Sequence, residues 1–186
     1  MKTKNESNQL AKECIVTALI ELMKVRDFHS ITITELTQKA GVSRMAYYRN
    51  YTSKEDIFNK FIDEVGASIH QRSGELRSEG DVYGYFFELF TQLDGYKELT
   101  LIAEKADLGE LILAQINKNM ALTFACDEHT PLGRYRHRFI AGAFYNILIS
   151  WLKSGQQESV ADMARLCCSL ACEGCHFSFL QGGKDR

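Results

Sequence analysis

The stretch Ile31-Thr32-Ile33-Thr34-Glu35-Leu36-Thr37-Gln38-Lys39-Ala40-Gly41-Val42-Ser43-Arg44-Met45-Ala46-Tyr47-Tyr48-Arg49-Asn50-Tyr51-Thr52-Ser53-Lys54-Glu55-Asp56-Ile57 decides how this chain is read. Thr32 and Glu35 have the spacing of a capping box. In that motif the hydroxyl accepts from the Glu35 amide while the carboxylate reaches back to the cap. Gly41 stands where a short helix must end, and the left-handed turn common there favours glycine. Ser43 is placed to cap a helix near Arg44 to Asn50, and Thr52 or Ser53 to cap another from about Lys54 through Ile57, Phe61 and Val65. Short helices separated by brief breaks, the middle one carrying glycine, make a helix-turn-helix unit.

Upstream, a first helix is expected from about Ser7 to Arg26. Leu10, Cys14, Ala18, Leu22 and Val25, with Ile15, Leu19 and Met23 beside them, recur at three- and four-residue steps. Asp27 to Ser30 breaks the pattern. Downstream, beyond the polar stretch 73–80, helices are expected over Asp81 to Leu93, Tyr96 to Ala106 and residues 108–125. A long helix follows, with Thr130 as cap, Pro131 in its first position and Gly155 after its end. Ser159 caps a last helix continuing to about Leu180. One proline in 186 residues and helix-period patterns throughout define an all-α chain of about nine helices. Residues 1–54 form the helix-turn-helix domain, and residues 55–186 form a helical ligand-binding and dimerisation domain reached through the helix from about Lys54.

Charge is divided unevenly. Residues 1–54 carry nine Lys/Arg against five Asp/Glu, a net of +4, whereas residues 55–186 carry thirteen against nineteen, a net of −6. A basic front on an acidic body suits a chain that offers only its N-terminal part to phosphates. No run approaches the roughly 18 consecutive apolar residues of a membrane span. Residues 1–9 have no apolar stretch of the kind a secretory signal carries, so the expected location is the cytoplasm, with no membrane partner. The six cysteines are accordingly expected to be reduced thiols.

Within Arg44–Tyr51, Tyr47 and Tyr51 lie four apart on one helix face and are expected to join Leu36 and Val42 in a small core. Arg44, Met45, Tyr48 and Arg49 then lie on other faces, open to a groove and its flanking phosphates. Arginine can read guanine bidentately and Met45 can meet a thymine methyl. Tyr48, Thr32 and Lys54 suit phosphate oxygens.

This stretch, from Ile31 to Ile57, resembles the TetR/AcrR family of regulators, densely over residues 10–60 and more loosely beyond. The Trp151-Leu152-Lys153-Ser154-Gly155 ending is similar to those before the family's last helix. The resemblance implies an all-helical homodimer, a palindromic double-stranded DNA operator, and a C-terminal domain whose small-molecule effector releases DNA. It places base contacts at Thr34, Arg44 and Met45, and phosphate contacts at Thr32, Tyr48, Arg49 and Lys54. Ser43, Ala46 and Asn50 complete the candidate DNA-binding set. Ala46 departs from the threonine common in the family, and Asn50 from a common histidine.

From Phe139 to Leu152 the chain is apolar nearly all round, so that helix must be covered on more than one side. Ile140, Phe144, Ile147 and Trp151 fall on one stripe, read as a dimer interface built from this helix and the last one. The aromatic segment containing Phe86, Phe87 and Phe90, with Tyr145 and Asn146 as polar groups, is the candidate ligand pocket; core packing is the alternative. Cys172-Glu173-Gly174-Cys175-His176 matches a haem-attachment pattern, and Cys168, Cys172, Cys175 and His176 recur at helical spacing. Packed free thiols are the preferred reading, with a thiol- or metal-responsive regulator as alternative. No cofactor or metal is called for. There is no phosphate-cradling glycine loop, no HExxH and no nucleophile elbow, so an enzyme is not expected. An activator on the same fold remains open.

Overall fold

The computed structural model describes residues 4–72, 81–123 and 131–174. Among them lie nine α-helices and no strand: α1 (Lys4–Met23), α2 (Ile33–Ala40), α3 (Arg44–Asn50), α4 (Lys54–Arg72), α5 (Val82–Asp94), α6 (Lys97–Lys105), α7 (Gly109–Thr123), α8 (Pro131–Lys153) and α9 (Val160–Gly174). The all-helical reading therefore holds. Thr130, Cys175, His176 and the end of the last helix lie outside the described residues.

The chain forms two compact units, Met1–Ala67 with Glu98–Gln115, and Ser68–Lys97 with Ile116–Arg186. In the first, α1 buries Ile15, Ala18, Leu19 and Met23 against Leu36, Tyr47, Tyr51, Ile57 and Phe58, and Ala103, Ala106 and Leu108 complete the same core. The stripe of α1 differs from the expected one at its ends. Leu10 is exposed near the start of the helix, and Val25 is exposed because the helix stops at Met23 and Val25 already lies in the closing turn.

The expected break at Asp27 is a built turn. Asp27 Oδ1 accepts from the amides of His29 (2.9 Å) and Ser30 (3.1 Å), capping a short 3₁₀ turn over Phe28–Ser30. That turn drives Phe28 into the core, 1% exposed. Further on, Gly41 adopts φ +65°, and a Cβ there would touch nothing within 4 Å, so glycine is required by backbone conformation rather than by space. Its amide donates to Gln38 O, and Val42 N to Thr37 O, closing α2 and turning the chain into α3.

In the second unit α9 packs along α5. Phe90 meets Trp151 edge-on with ring centroids 5.3 Å apart, and Phe86 and Phe90 both lie against Phe144. The indole Nε1 donates to Glu158 O at 3.0 Å, tying the end of α8 to the turn before α9. In that turn Gly155 has φ +82°, and Ser159 caps α9 by accepting from Asp162 N.

One polar atom in the first core stands apart. The Tyr47 hydroxyl is buried without a hydrogen-bond partner among the described residues, and burial pushes its pKa up to about 12. An unsatisfied buried hydroxyl opposes folding. Tyr47→Phe should therefore leave the unfolding free energy unchanged or raise it by up to about 1 kcal/mol in urea titration. A loss larger than about 1 kcal/mol would mean that the hydroxyl has a partner.

Candidate nucleic-acid interface

The site is built from two caps and a buried face. At α2, Thr32 Oγ1 accepts from Glu35 N (3.2 Å), while Glu35 Oε2 accepts from both Thr32 N and Thr32 Oγ1 at 2.9 Å. Arg26 joins the same carboxylate at 2.7 Å. The Thr32 amide, then its hydroxyl, hold the Glu35 carboxyl below its usual range. The capping box thus fixes where α2 begins and leaves Thr32 and Thr34 exposed on its first turn. At α3, Ser43 Oγ accepts from Ala46 N at 3.1 Å.

Tyr47 and Tyr51, 0% and 5% exposed, orient α3 by taking one of its faces into the core. The other side chains must then point away. Arg44 and Arg49 are exposed, Met45 is 75% and Tyr48 56% exposed, and Ala46 and Asn50 are half-buried. Neither arginine forms an ion pair among the described residues, so both charges face outward uncompensated. A short helix that bares two cations and a methionine, with a backbone turn and a second capped helix beside it, has the shape and charge to enter a DNA major groove.

Two predicted contacts have other tasks in the structure. Lys54 Nζ donates to the carbonyls of Phe28 (2.7 Å), Ile31 (2.7 Å) and His29 (3.2 Å), and lies 4.9 Å from the Phe28 ring centroid. Its three donors thereby hold the segment that leads into α2. A phosphate could engage this ammonium only by displacing a carbonyl. Asn50 faces Asn8 of α1, a residue the sequence reading did not single out. Lys60 of α4 was also missed, although its four-residue spacing from Asp56 was a signal for a helical ion pair.

In the second unit the five candidate pocket residues differ in burial. A small apolar hollow is lined by Phe86, Ile140, Phe144, Ile147, Cys167 and Leu170 among others, and Phe86 alone of the five pocket candidates reaches it. Phe90 is buried against Phe144 and Trp151, Phe87 is exposed, Tyr145 is half-buried, and the exposed Asn146 donates to Gly142 O at 2.8 Å. The stripe read as a dimer interface divides in the same way. Phe144 and Trp151, 3% and 4% exposed, face the interior of their own unit, because Phe86 and Phe90 of α5 pack against them. The exposed apolar side chains of α8 and α9 are Leu132, Tyr135, Phe139, Leu166 and Leu170.

Cys167 is buried and its thiol is pushed up to about 12, chiefly by desolvation and then by Cys168, which makes it a poor nucleophile. Among the described residues no three His, Cys, Asp or Glu side chains are grouped to hold a metal, and no helix is long and apolar enough to cross a membrane.

The elements α1 to α3 define a helix-turn-helix unit. Residues 15–61 match the model of the tetR family of bacterial regulatory proteins. The chain is 21% identical over 171 residues to the HTH-type transcriptional regulator AlkX of Mycobacterium tuberculosis, across 88% of this chain and 75% of the relative. Its fold is similar to that of a TetR transcriptional regulator from Streptococcus agalactiae (TM-score 0.65, 17% identity, 90% of this chain and 96% of that one). It is also similar to FadR from Bacillus subtilis, solved with stearoyl-CoA (TM-score 0.59, 16% identity, 87% and 98%).

The Lys54 clamp has a measurable consequence. Lys54→Met should lower the unfolding free energy by about 1–2 kcal/mol, a charged hydrogen-bond set discounted for partial exposure. Lys54→Arg should fail to restore it, since a planar guanidinium cannot serve carbonyls that converge on one ammonium. Full stability of the arginine variant in denaturant titration would contradict the clamp.

Proposed function

We propose that the chain is a homodimeric repressor that binds a palindromic operator through α3 and leaves it when a small molecule enters the helical domain. The observation that carries this reading is the split of α3 into a buried tyrosine face and an outward face of Arg44, Met45, Tyr48 and Arg49. In this reading Arg44, Met45 and Thr34 meet base edges, and Tyr48, Arg49 and Thr32 meet phosphates. Residues 1–54 supply the reading surface, and residues 55–186 the effector and pairing functions. Ser43 and Ala46 act through the helix start, where the Ser43 hydroxyl accepts from the Ala46 amide and fixes the turn that carries Arg44 and Met45.

Pairing is assigned to the outer faces of α8 and α9. Phe139 at 70% and Leu170 at 51% exposure are large apolar side chains that a partner would cover. Ile140 and Ile147, half-buried beside them, fit the same contact. A two-fold dimer matches the symmetry of a palindromic operator, whose half-sites are spaced by about one helical turn or a multiple of it. The effector is assigned to the aromatic interior around Phe86. Because FadR of Bacillus subtilis was solved with stearoyl-CoA, long-chain acyl thioesters are the first class to test.

DNA titrations followed by fluorescence anisotropy address this reading. Wild-type protein should enrich particular duplexes from a random-sequence pool and bind them with strong salt dependence. Arg44→Ala should cost about 1–3 kcal/mol on the enriched duplex and relax base preference at one position per half-site. Salt-insensitive binding, or no enrichment, would contradict the reading.

Self-association is tested separately. Light scattering should return twice the 21.2 kDa chain mass for the wild type and the single mass for Phe139→Glu with Leu170→Glu. A dimer that survives both charges would place the interface elsewhere.

A further inference from the structure

Arg44 and Met45 are exposed at the start of α3, while its last residue, Asn50, is held from two sides. Asn50 Nδ2 donates to Asn8 Oδ1 at 3.0 Å and to Ala46 O at 2.9 Å, and Asn50 Oδ1 accepts from Asn8 Nδ2 at 3.1 Å. An asparagine amide has two N–H donors and one carbonyl oxygen. Both donors of Asn50 are therefore taken, and its oxygen is already engaged. The backbone carbonyl of the same residue accepts from Lys60 Nζ at 2.8 Å. That ammonium also pairs with Asp56 at 3.0 Å and lies 5.3 Å from the Tyr51 ring centroid. The last turn of a helix leaves carbonyls without amide partners, and a cation there is favoured.

We infer that Asn50 is a positioning residue: Asn8 and Lys60 clamp it, and the clamp sets the tilt of α3 in place of a direct contact from Asn50 to DNA. The inference rests on α3 being the helix that reads DNA. A reciprocal amide pair is directional, so it resists both rotation and tilt of the helix it holds. The lever is short but sufficient. From Asn50 to Arg44 the helix rises about 9 Å, so a tilt of about 10° at one end moves the other by about 1.5 Å. A shift of that size takes a bidentate arginine–guanine contact out of hydrogen-bond range.

The test compares Asn8→Ala, Asn50→Ala and the double variant with wild type, well below their unfolding temperatures. The probes are a duplex enriched by the wild-type protein from a random pool and a scrambled duplex of the same length and composition. Alanine is a better helix former than asparagine, which favours retention of α1 and α3. The ratio of the two affinities should fall roughly tenfold in each single variant and no further in the double, as for two residues acting through one interaction. A loss confined to folded protein would lower both affinities equally, leave the ratio intact and overturn the inference.

A ratio that falls in Asn50→Ala but not in Asn8→Ala would mean that Asn50 touches DNA itself, and would also overturn it. Independent, additive falls would do the same. Should Asn50→Ala fail to fold, Asn8→Ala alone decides, with an unchanged ratio against the clamp. A wild-type protein that does not prefer the enriched duplex would instead remove the DNA-reading role of α3 on which the clamp rests.

Discussion

Two tyrosines four residues apart take one side of a seven-residue helix into the core, and the outward surface of that helix follows from their placement. With Tyr47 and Tyr51 buried among Ile15, Leu19, Leu36 and Ile57, α3 cannot roll. Arg44, Met45, Tyr48 and Arg49 have nowhere to go but outward. The cost is a buried Tyr47 hydroxyl without a hydrogen-bond partner among the described residues, tolerated because two large rings bury much apolar area. Everything nearby serves the same orientation. The Thr32–Glu35 box starts α2, Gly41 turns the chain, Ser43 starts α3, and lysines secure the segments before α2 and after α3.

The lysines show how charge is divided between structure and recognition. The ammonium groups of Lys54 and Lys60 are turned onto backbone carbonyls, those of Phe28 and Ile31 for Lys54 and that of Asn50 for Lys60. Arg44 and Arg49 have no such partners among the described residues and keep their charge at the surface. The +4 balance of residues 1–54 therefore overstates the charge available to phosphates. Part of it holds the unit together from within.

Local features were legible in the sequence, because caps and turns are short-range chemistry. The box at Thr32 and Glu35, the glycine at position 41, the cap at Ser43 and the bounds of α3 all follow from residue type at fixed spacing. Tertiary partners were not legible. Nothing in a single sequence shows that Asn8 meets Asn50 across 42 residues, or that Lys54 turns back to Phe28. The stripe on α8 divides for a related reason. When a helix is apolar nearly all round, periodicity cannot tell which side its own domain takes, and Phe86 and Phe90 decided it for Phe144 and Trp151.

Methylation interference on a duplex enriched by the wild-type protein tests most directly whether the outward end of α3 reads the major groove. Methyl groups at guanine N7 occupy that groove, where an arginine in the position of Arg44 would make its contact. Interference is expected at guanines in two symmetry-related half-sites whose centres lie about one helical turn or a multiple of it apart. Arg44→Ala should lose it at one guanine in each half-site. The same interference pattern in wild type and Arg44→Ala, or interference confined to adenine N3 in the minor groove, would contradict the assignment of α3 as the reading helix.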